Sequence, residues 1–96
     1  MAPSKPVNID DVAARLKICR EVVGLSHQAA ADLISQDRST WTGWENGNRY
    51  PPVDRISKFC DRYGFTLDWI YRGIPHGLPN EIANKILAAC EKHLIN

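Results

Sequence analysis

The segment from Leu25 to Arg49, LSHQAAADLISQDRSTWTGWENGNR, decides the fold of this chain. It contains two short runs in which apolar residues recur at helical spacing, separated by Ser35-Gln36-Asp37. Ser26 precedes the first run and Asp37 the second, and both residue types cap helix N-termini. Gly47 ends the second run, as glycine often does after a helix. The segment therefore predicts two helices joined by a tight turn.

Further helices are predicted on both sides of this segment. A first helix is capped by Asn8 or Asp10. A fourth follows Pro51-Pro52, and a short fifth helix, LDWIYR, follows the capping residue Thr66. Asn80 can cap a sixth. In the first helix the apolar residues at helical spacing are Val12, Leu16, Cys19 and Val23. In the fourth helix one apolar face, which is expected to pack on the core, consists of Val53, Ile56, Cys60 and Tyr63, with Phe59 beside it. Because no alternating strand pattern is present, the fold class is predicted to be all-α.

Composition divides the chain into four parts. Residues 1–7 contain two prolines and no apolar pattern, and they are predicted to form a disordered arm. Residues 8–73 form the main helical domain. Residues 74–79 are a linker by composition, and residues 80–96 form a C-terminal helix.

Composition also excludes several classes of protein. With 96 residues, 44% hydrophobic and 24% charged, the chain has the composition of one soluble globular domain. No apolar run approaches the ~20 residues that span a bilayer. The N-terminus lacks the apolar core of a signal peptide. We therefore expect a cytoplasmic protein without a membrane partner.

The residues that carry chemistry in enzymes and metalloproteins are scattered here. Cys19, Cys60 and Cys90 form no CxxC or Cys/His cluster, so we expect buried free thiols in a reducing compartment. No serine or cysteine nucleophile has a placed base, and no carboxylate pair or glycine-rich phosphate loop is present. We therefore expect no enzyme activity, no cofactor and no metal site.

Several short motifs occur in a fixed order between about Arg15 and Gly73. They are Arg15-Leu16-Lys17, Gly24-Leu25-Ser26, Arg38-Ser39-Thr40, Trp44-Glu45-Asn46-Gly47, Arg49-Tyr50-Pro51 and Gly64-Phe65-Thr66-Leu67-Asp68. In these motifs and their spacing the chain resembles the Cro/repressor-type (XRE-like) helix-turn-helix family. The resemblance implies a five-helix lambda-repressor-like DNA-binding domain, to which this chain adds a C-terminal helix.

The resemblance also implies which residues contact DNA. In that family the exposed side of the second helix of the motif enters the major groove, N-terminal end first. Here that helix is Arg38 to Asn46. The residues implied to read bases are Arg38, Ser39, Thr42 and Gly43, and Arg38 can bond a guanine edge with two nitrogens. The residues implied to contact phosphates are His27, Gln28, Thr40, Asn46, Asn48 and Arg49.

Arg20 and Glu45 occupy the positions of an ion pair that often joins the first helix to the end of the recognition helix in this family. Such a pair fixes the angle between helices more surely than it adds stability. We therefore expect Arg20 and Glu45 to be structural, and Glu45 to be neither catalytic nor base-reading.

Four residues depart from the family pattern. His27 replaces a glutamine; its phosphate contact strengthens on protonation, or it remains neutral and donates one hydrogen bond. Ser35 replaces the turn glycine and is strained by roughly 1 kcal/mol if left-handed. Trp41 replaces a branched aliphatic residue. It is either a core residue compensated by the small Ala30 or an exposed binding anchor. Gly43 replaces a long polar residue, which favours either close approach of DNA or loss of base reading.

The predicted C-terminal helix carries two apolar stripes. One consists of Ala83, Leu87, Cys90 and Leu94, and the other of Ile82, Ile86, Ala89 and His93. One stripe can cover the core while the other pairs with its copy in a second chain. We expect the stripe containing Leu87 to form a homodimer. The alternative is that both stripes are buried within one chain.

Two functions follow from these observations. The leading hypothesis is a sequence-specific transcriptional regulator of bacterial or phage type, such as a repressor, that binds an inverted repeat in double-stranded DNA as a dimer. A regulatory protein partner is possible. The alternative is a protein-binding module on the same fold, antiactivator or antitoxin-like, with weak or no DNA binding. The formal charge of −1 over residues 26–50 favours the alternative, because neutralised phosphates supply most non-specific affinity. Gly43 and an exposed Trp41 would favour it as well.

Overall fold

The computed structural model describes the backbone of residues 8–94 and the side chains of residues 8–90. Over this range the chain is all-α, as predicted, and contains six helices. They are α1 (Ile9–Val22), α2 (His27–Leu33), α3 (Arg38–Glu45), α4 (Val53–Tyr63), α5 (Asp68–Arg72) and α6 (Asn80–Leu94). The arm predicted for residues 1–7 lies outside the described residues, as do the side chains of His93 and Leu94.

Side-chain caps define the starts of the first two helices. The side-chain oxygen of Asn8 accepts hydrogen bonds from the backbone N–H of Asp10 at 2.9 Å and of Asp11 at 3.1 Å. Ser26 Oγ accepts from the backbone N–H of Ala29 at 3.0 Å. These bonds satisfy donors that have no partner within the helix itself.

Two of the predicted caps differ from the structure. Asp37 occupies the N-cap position of α3, but its side chain makes no capping hydrogen bond. Asn80 is itself the first residue of α6. The carbonyl of Pro79 accepts the first hydrogen bond of α6, from the backbone N–H of Ala83 at 2.8 Å, so Pro79 occupies the N-cap position. The prediction that Asn80 caps this helix is therefore wrong.

The core is built around aromatic side chains of α3 and α4. Trp41 and Phe59 are fully buried, and their rings meet edge-on with centroids 5.3 Å apart. Trp44 lies 5.8 Å from Trp41, and Phe65 stacks on Phe59 at 5.5 Å. The alternative that Trp41 is an exposed anchor is therefore wrong. Ala30 is buried in the same cluster, as the predicted exchange of large for small residues requires.

The buried face of α4 is shifted from the predicted one. Ile56, Phe59 and Cys60 are buried, and Tyr63 packs partly against them. Val53 is 53% exposed, so the prediction that it faces the core is wrong. The buried face is centred between Ile56 and Phe59, which leaves Val53 at its margin in the first turn of the helix.

α5 is a π-helical turn that is held at both ends. Thr66 Oγ1 accepts from the backbone N–H of Trp69 at 3.1 Å, as expected of the capping residue. At the other end, Arg15 of α1 donates from Nε to the carbonyl of Ile70 at 2.8 Å and from Nη2 to the carbonyl of Tyr71 at 3.2 Å. Carbonyls at a helix C-terminus otherwise lack donors, so Arg15 joins α5 to α1.

α6 packs against α1 of the same chain. Ile86 is buried, and Ile82 packs partly against the core. The stripe of Ile82 and Ile86 is therefore the one that covers the core. Cys90, predicted on the outer stripe, is half-buried against the same core, as is Leu78 of the predicted linker. Leu87 is 58% exposed. Among the residues described, no helix is long and apolar enough to cross a membrane.

The cysteines are free thiols in the interior. Cys19 and Cys60 are buried as predicted, whereas Cys90 is only half-buried. Burial raises the pKa of the Cys60 thiol to about 11 and raises the pKa of Cys19 as well. These two thiols are therefore protonated and weakly nucleophilic at neutral pH.

Candidate nucleic-acid interface

One residue in a left-handed conformation makes the turn between α2 and α3. Ser35 has a φ of +57°, and the backbone N–H of Gln36 then donates to the carbonyl of Ala31 at 2.9 Å. A residue with a Cβ is strained in this conformation by roughly 1–2 kcal/mol. The turn therefore has the strained geometry expected of it, and it packs α3 against α2.

α3 has one buried side and one exposed side. Trp41 and Trp44 lie in the core. Arg38 and Ser39, at the N-terminal end of the helix, are exposed, and the half-buried Thr42 follows them one turn later. The polar side of this helix therefore faces solvent because the two tryptophans fix the opposite side in the core.

The exposed side of α3 and the loop that follows it form a shallow depression, here called the α3 groove. It is lined by Arg38, Ser39, Thr40, Thr42, Gly43, Asn46, Asn48 and Arg49. It consists of two adjoining lobes of about 290 and 460 Å³, both open to solvent. All of these residues are among those that the resemblance implies for DNA contact, so the fold brings most of that set together on one surface.

Backbone conformation holds the loop after α3 alongside the helix. The backbone N–H of Asn48 donates to the carbonyl of Gly43 at 3.0 Å. Between them Gly47 has a φ of +76°, and a Cβ there would lie 2.9 Å from Asp10 Oδ1. Glycine is therefore favoured at this position by its backbone conformation, while the exposed Asp10 side chain would have to move aside for a Cβ. As a result, Asn48 and Arg49 line the same groove as the helix.

Gly43 lies in the middle of the α3 groove and has a different environment. A Cβ added to Gly43 would meet no atom within 4 Å, and its conformation is ordinary helix. Packing therefore does not require glycine here. The missing side chain leaves backbone accessible at the floor of the groove.

Arg20 and Glu45, the expected structural ion pair, join α1 to the end of α3. Arg20 Nε lies 2.6 Å from Glu45 Oε2, and Arg20 Nη2 lies 3.1 Å from Oε1. Arg20 Nη1 also donates to the carbonyl of Leu25 at 2.9 Å, and the Trp41 indole N–H donates to Glu45 Oε2. A two-point contact of this kind fixes orientation as well as distance, so the pair sets the angle of α3 on α1.

The two residues expected to contact phosphate from the start of α2 have partners inside the protein. His27 Nε2 lies 3.4 Å from Glu45 Oε1, and the His27 side chain is 37% exposed. Gln28 Nε2 donates to Asp32 Oδ1 at 2.8 Å. Neither residue lines the α3 groove. The contacts of Glu45 with Trp41 and His27 were not predicted from the sequence. The spacing of four residues between Trp41 and Glu45 places both on one side of a helix and could have indicated their contact. No pattern in the sequence indicated the contact with His27.

The charge exposed around the α3 groove differs from the charge of the segment. Residues 26–50 contain two basic and three acidic residues. One of the acidic residues, Glu45, is only 3% exposed in its side chain and is paired with Arg20 from outside the segment. The remaining charged residues are Arg38, Arg49, Asp32 and Asp37. The exposed charge of the segment is therefore balanced rather than negative.

The α3 groove has the chemistry of a hydrogen-bonding surface. Its side chains carry hydroxyl, amide and guanidinium groups, which bond base edges and phosphate oxygens. Within residues 8–90, no group of three or more His, Cys, Asp or Glu side chains is arranged to hold a metal ion. A polar helix held across a second helix by a short turn is the geometry of major-groove recognition.

Comparison with known proteins agrees with this geometry. A family model described as a helix-turn-helix domain matches residues 11–69, more than half of the chain and the whole of α2, α3 and α4. No curated protein and no solved structure shows significant similarity to the chain. The chain belongs to the helix-turn-helix domain family, a family of DNA-binding domains.

Proposed function

We propose that this protein is a sequence-specific transcriptional regulator that binds an inverted repeat in double-stranded DNA as a homodimer. α3 enters the major groove with its N-terminal end first. The single observation that carries the proposal is the α3 groove, where polar side chains of the helix and of the following loop line one open surface. The proposed base-reading residues are Arg38, Ser39, Thr42 and Gly43, and the proposed phosphate contacts are His27, Gln28, Thr40, Asn46, Asn48 and Arg49.

Arg38 is the proposed main base contact. It is exposed at the start of α3, and its guanidinium can donate to both acceptors of a guanine edge. The hydroxyls of Ser39 and Thr42 can bond a base edge or a phosphate. Because a Cβ at Gly43 would meet no protein atom, the open space above this residue permits close approach of the DNA to the helix backbone.

We propose the outer side of α6 as the dimer surface. Leu87 is 58% exposed. With Ala83 and Cys90 it lines an apolar groove of about 310 Å³ between α6 and the loop before it. Pairing of two chains along this stripe, which extends to Leu94 in the sequence, is expected to place two copies of α3 about 34 Å apart, one turn of DNA. The balanced charge of each module gives it little attraction to phosphates. Two modules that bind together offset this weakness, because the second one binds at a high effective concentration.

Selection of binding sites from random DNA with the full chain tests the proposal. We expect a palindromic site whose affinity falls as salt rises, because bound phosphates release counterions. A recovered palindrome reports both DNA reading and twofold symmetry. The absence of any DNA binding at low salt would contradict the proposal.

The contribution of Arg38 is expected to be specific to base sequence. Arg38→Ala should weaken operator binding by about 1–3 kcal/mol and relax the preference at one base pair of each half-site. Arg62→Ala is a matched control, because it removes the same charge at the far end of α4, where the guanidinium lies over the Tyr63 ring. Arg49→Ala should weaken all DNA equally and reduce the salt slope by about 1. An Arg38→Ala variant with unchanged site preference would assign base reading to another residue.

The balanced exposed charge of residues 26–50 favours one second function, a protein-binding module of antiactivator or antitoxin type. A module of this kind would bind no DNA at low salt, and Arg38→Ala would then change affinity for the protein partner alone. A DNA-binding regulator of bacterial or phage type acts in the cytoplasm, and we propose no membrane partner for it.

A further inference from the structure

The carboxylate of Glu45 is contacted by nitrogen atoms from α1, α2 and α3. Its Oε2 faces Arg20 Nε at 2.6 Å and the Trp41 indole nitrogen. Its Oε1 faces Arg20 Nη2 at 3.1 Å and His27 Nε2 at 3.4 Å. A carboxylate offers about four lone-pair sites, and the Glu45 side chain is only 3% exposed. Three of these contacts are hydrogen bonds, two from Arg20 and one from Trp41, and His27 Nε2 approaches the remaining side of Oε1.

The nearby carboxylate favours one position for the proton on the His27 ring. An ionised carboxylate only accepts hydrogen bonds, so the ring nitrogen that faces Glu45 is favoured in its N–H form. A neutral imidazole has one N–H and one lone pair. The lone pair is therefore left on Nδ1. Phosphate oxygens are also acceptors, so the neutral ring has no donor to offer them.

We propose that His27 contacts a DNA phosphate as the imidazolium ion, so that operator binding takes up one proton per subunit. In the bound state Nε2–H faces Glu45 and Nδ1–H donates to the phosphate. Part of the ring is accessible for this contact, since the side chain is 37% exposed. The inference rests on the proposed function, and it makes His27 the residue through which pH adjusts operator affinity.

The charges around His27 support this direction of coupling. Glu45 of α3 faces the ring, but Arg20 of α1 already neutralises that carboxylate. On α2 itself, the Asp32 carboxylate accepts from Gln28. A DNA phosphate therefore adds the negative charge that favours the imidazolium. Because the complex holds more protons than the free protein, affinity rises as pH falls through the range in which histidine titrates.

The test is the affinity of the full chain for its selected operator between about pH 5.5 and about pH 8.5, at constant ionic strength. We expect wild-type affinity to rise by up to about tenfold per subunit for each pH unit of acidification. His27→Gln keeps an N–H donor that does not titrate, so this variant should bind with a much flatter profile. His76→Gln, which changes an exposed histidine in the loop before α6, should keep the wild-type slope.

Calorimetry of wild-type binding in buffers of different ionisation heat counts the protons directly and needs no variant. For the wild type we expect an uptake of about one proton per subunit on operator binding. For His27→Gln we expect this uptake to be absent, because glutamine does not titrate. Operator binding that is independent of pH, or a His27→Gln variant with the wild-type slope, would overturn the inference alone. If the wild type binds no operator at any pH, the proposed function fails and the inference fails with it.

Discussion

At the scale of single residues, Gly43 of α3 and Gly47 of the loop after it stand in contrasting environments. Gly43 has helical conformation, and a Cβ there would meet nothing within 4 Å. Gly47 has a φ of +76°, and a Cβ there would lie 2.9 Å from Asp10 Oδ1. The left-handed backbone therefore favours glycine at 47, whereas at 43 glycine weakens the helix by ~1 kcal/mol relative to alanine.

Substitution of the two glycines should therefore have opposite effects on stability. Gly43→Ala is expected to raise the free energy of unfolding by up to about 1 kcal/mol, and Gly47→Ala to lower it by at least about 1 kcal/mol. Urea denaturation measures both. If DNA approaches the backbone at Gly43, the stabilised Gly43→Ala variant should also lose operator affinity. If Gly43→Ala instead lowers the free energy of unfolding, the added methyl group collides with other atoms, and the space next to Gly43 is not open in solution.

At the scale of elements, the orientation of α3 depends on contacts from its buried side. Trp41 and Trp44 fix that side in the core, and the pair of Arg20 with Glu45 ties the end of the helix to α1. None of these four side chains lines the α3 groove. The surface proposed to bind DNA can therefore change by substitution while the frame that presents it stays in place.

Loss of one partner of the Arg20–Glu45 pair is expected to be costly. Arg20→Met should lower the free energy of unfolding by about 3–5 kcal/mol, because it leaves the Glu45 carboxylate buried without its main partner. Combining it with Glu45→Met should cost less than the sum of the single changes. Lys85→Met is a matched control, since it breaks an exposed pair with Glu81 and should change stability by less than about 0.5 kcal/mol. Additive single changes would show that the pair is not coupled.

At the scale of the whole molecule, α6 connects the fold to the proposed assembly. Its inner side packs on α1 through Ile86, while Leu87 on its outer side is 58% exposed. Leu87 borders the apolar groove between α6 and the loop before it. In the proposed dimer, the same helix would complete the core of one chain and contact the other chain.

The dimer depends, in this proposal, on the exposed side of α6. Leu87→Glu should weaken self-association by tenfold or more, because a charge would be buried in an apolar contact. Sedimentation velocity measures the association, and operator affinity should fall in parallel. Ala88→Glu adds the same charge at an exposed neighbouring position and should leave the dimer intact. Equal association of both variants with the wild type would place the dimer contact elsewhere.

Alkaline pH should destabilise the whole fold through buried acidic groups. Burial raises the pKa of Cys60 to about 11 and raises the pKa values of Cys19 and Tyr71. In the unfolded chain these groups lose their protons at lower pH, so the folded state binds more protons above about pH 8.5. Their contribution is full below that pH and is lost as pH rises, by up to ~1.4 kcal/mol per pH unit for each group.

Urea unfolding at about pH 7 and at about pH 10 measures this loss. Cys60→Ala should show a smaller decrease in stability between the two values than the wild type, because one of the buried groups is gone. Ser57→Ala, on the same helix, removes no titrating group and should show the wild-type decrease. An identical decrease in all three proteins would contradict the assignment to Cys60.

Local signals in the sequence were sufficient for the class of the fold and for the helix-turn-helix segment. Helical spacing, the caps at Asn8 and Ser26, and glycine after a helix depend on residues close together in the chain. The motif residues therefore predicted α2, the turn at Ser35 and α3 correctly. The groove residues were named from the family resemblance, and the fold brings them together because they follow one another along a single helix and its loop. Their contact with DNA stays a prediction.

Only the tertiary structure decided how the helices sit on one another. Both stripes of α6 are apolar, and packing against α1 selected the one that contains Ile86. The tertiary structure also showed that Val53 is exposed, although the sequence pattern grouped it with the core residues. It likewise showed the contact of His27 in α2 with Glu45 in α3. Spacing along one helix indicates which residues share a face. Which face is covered, and by what, depends on contacts between segments far apart in the chain.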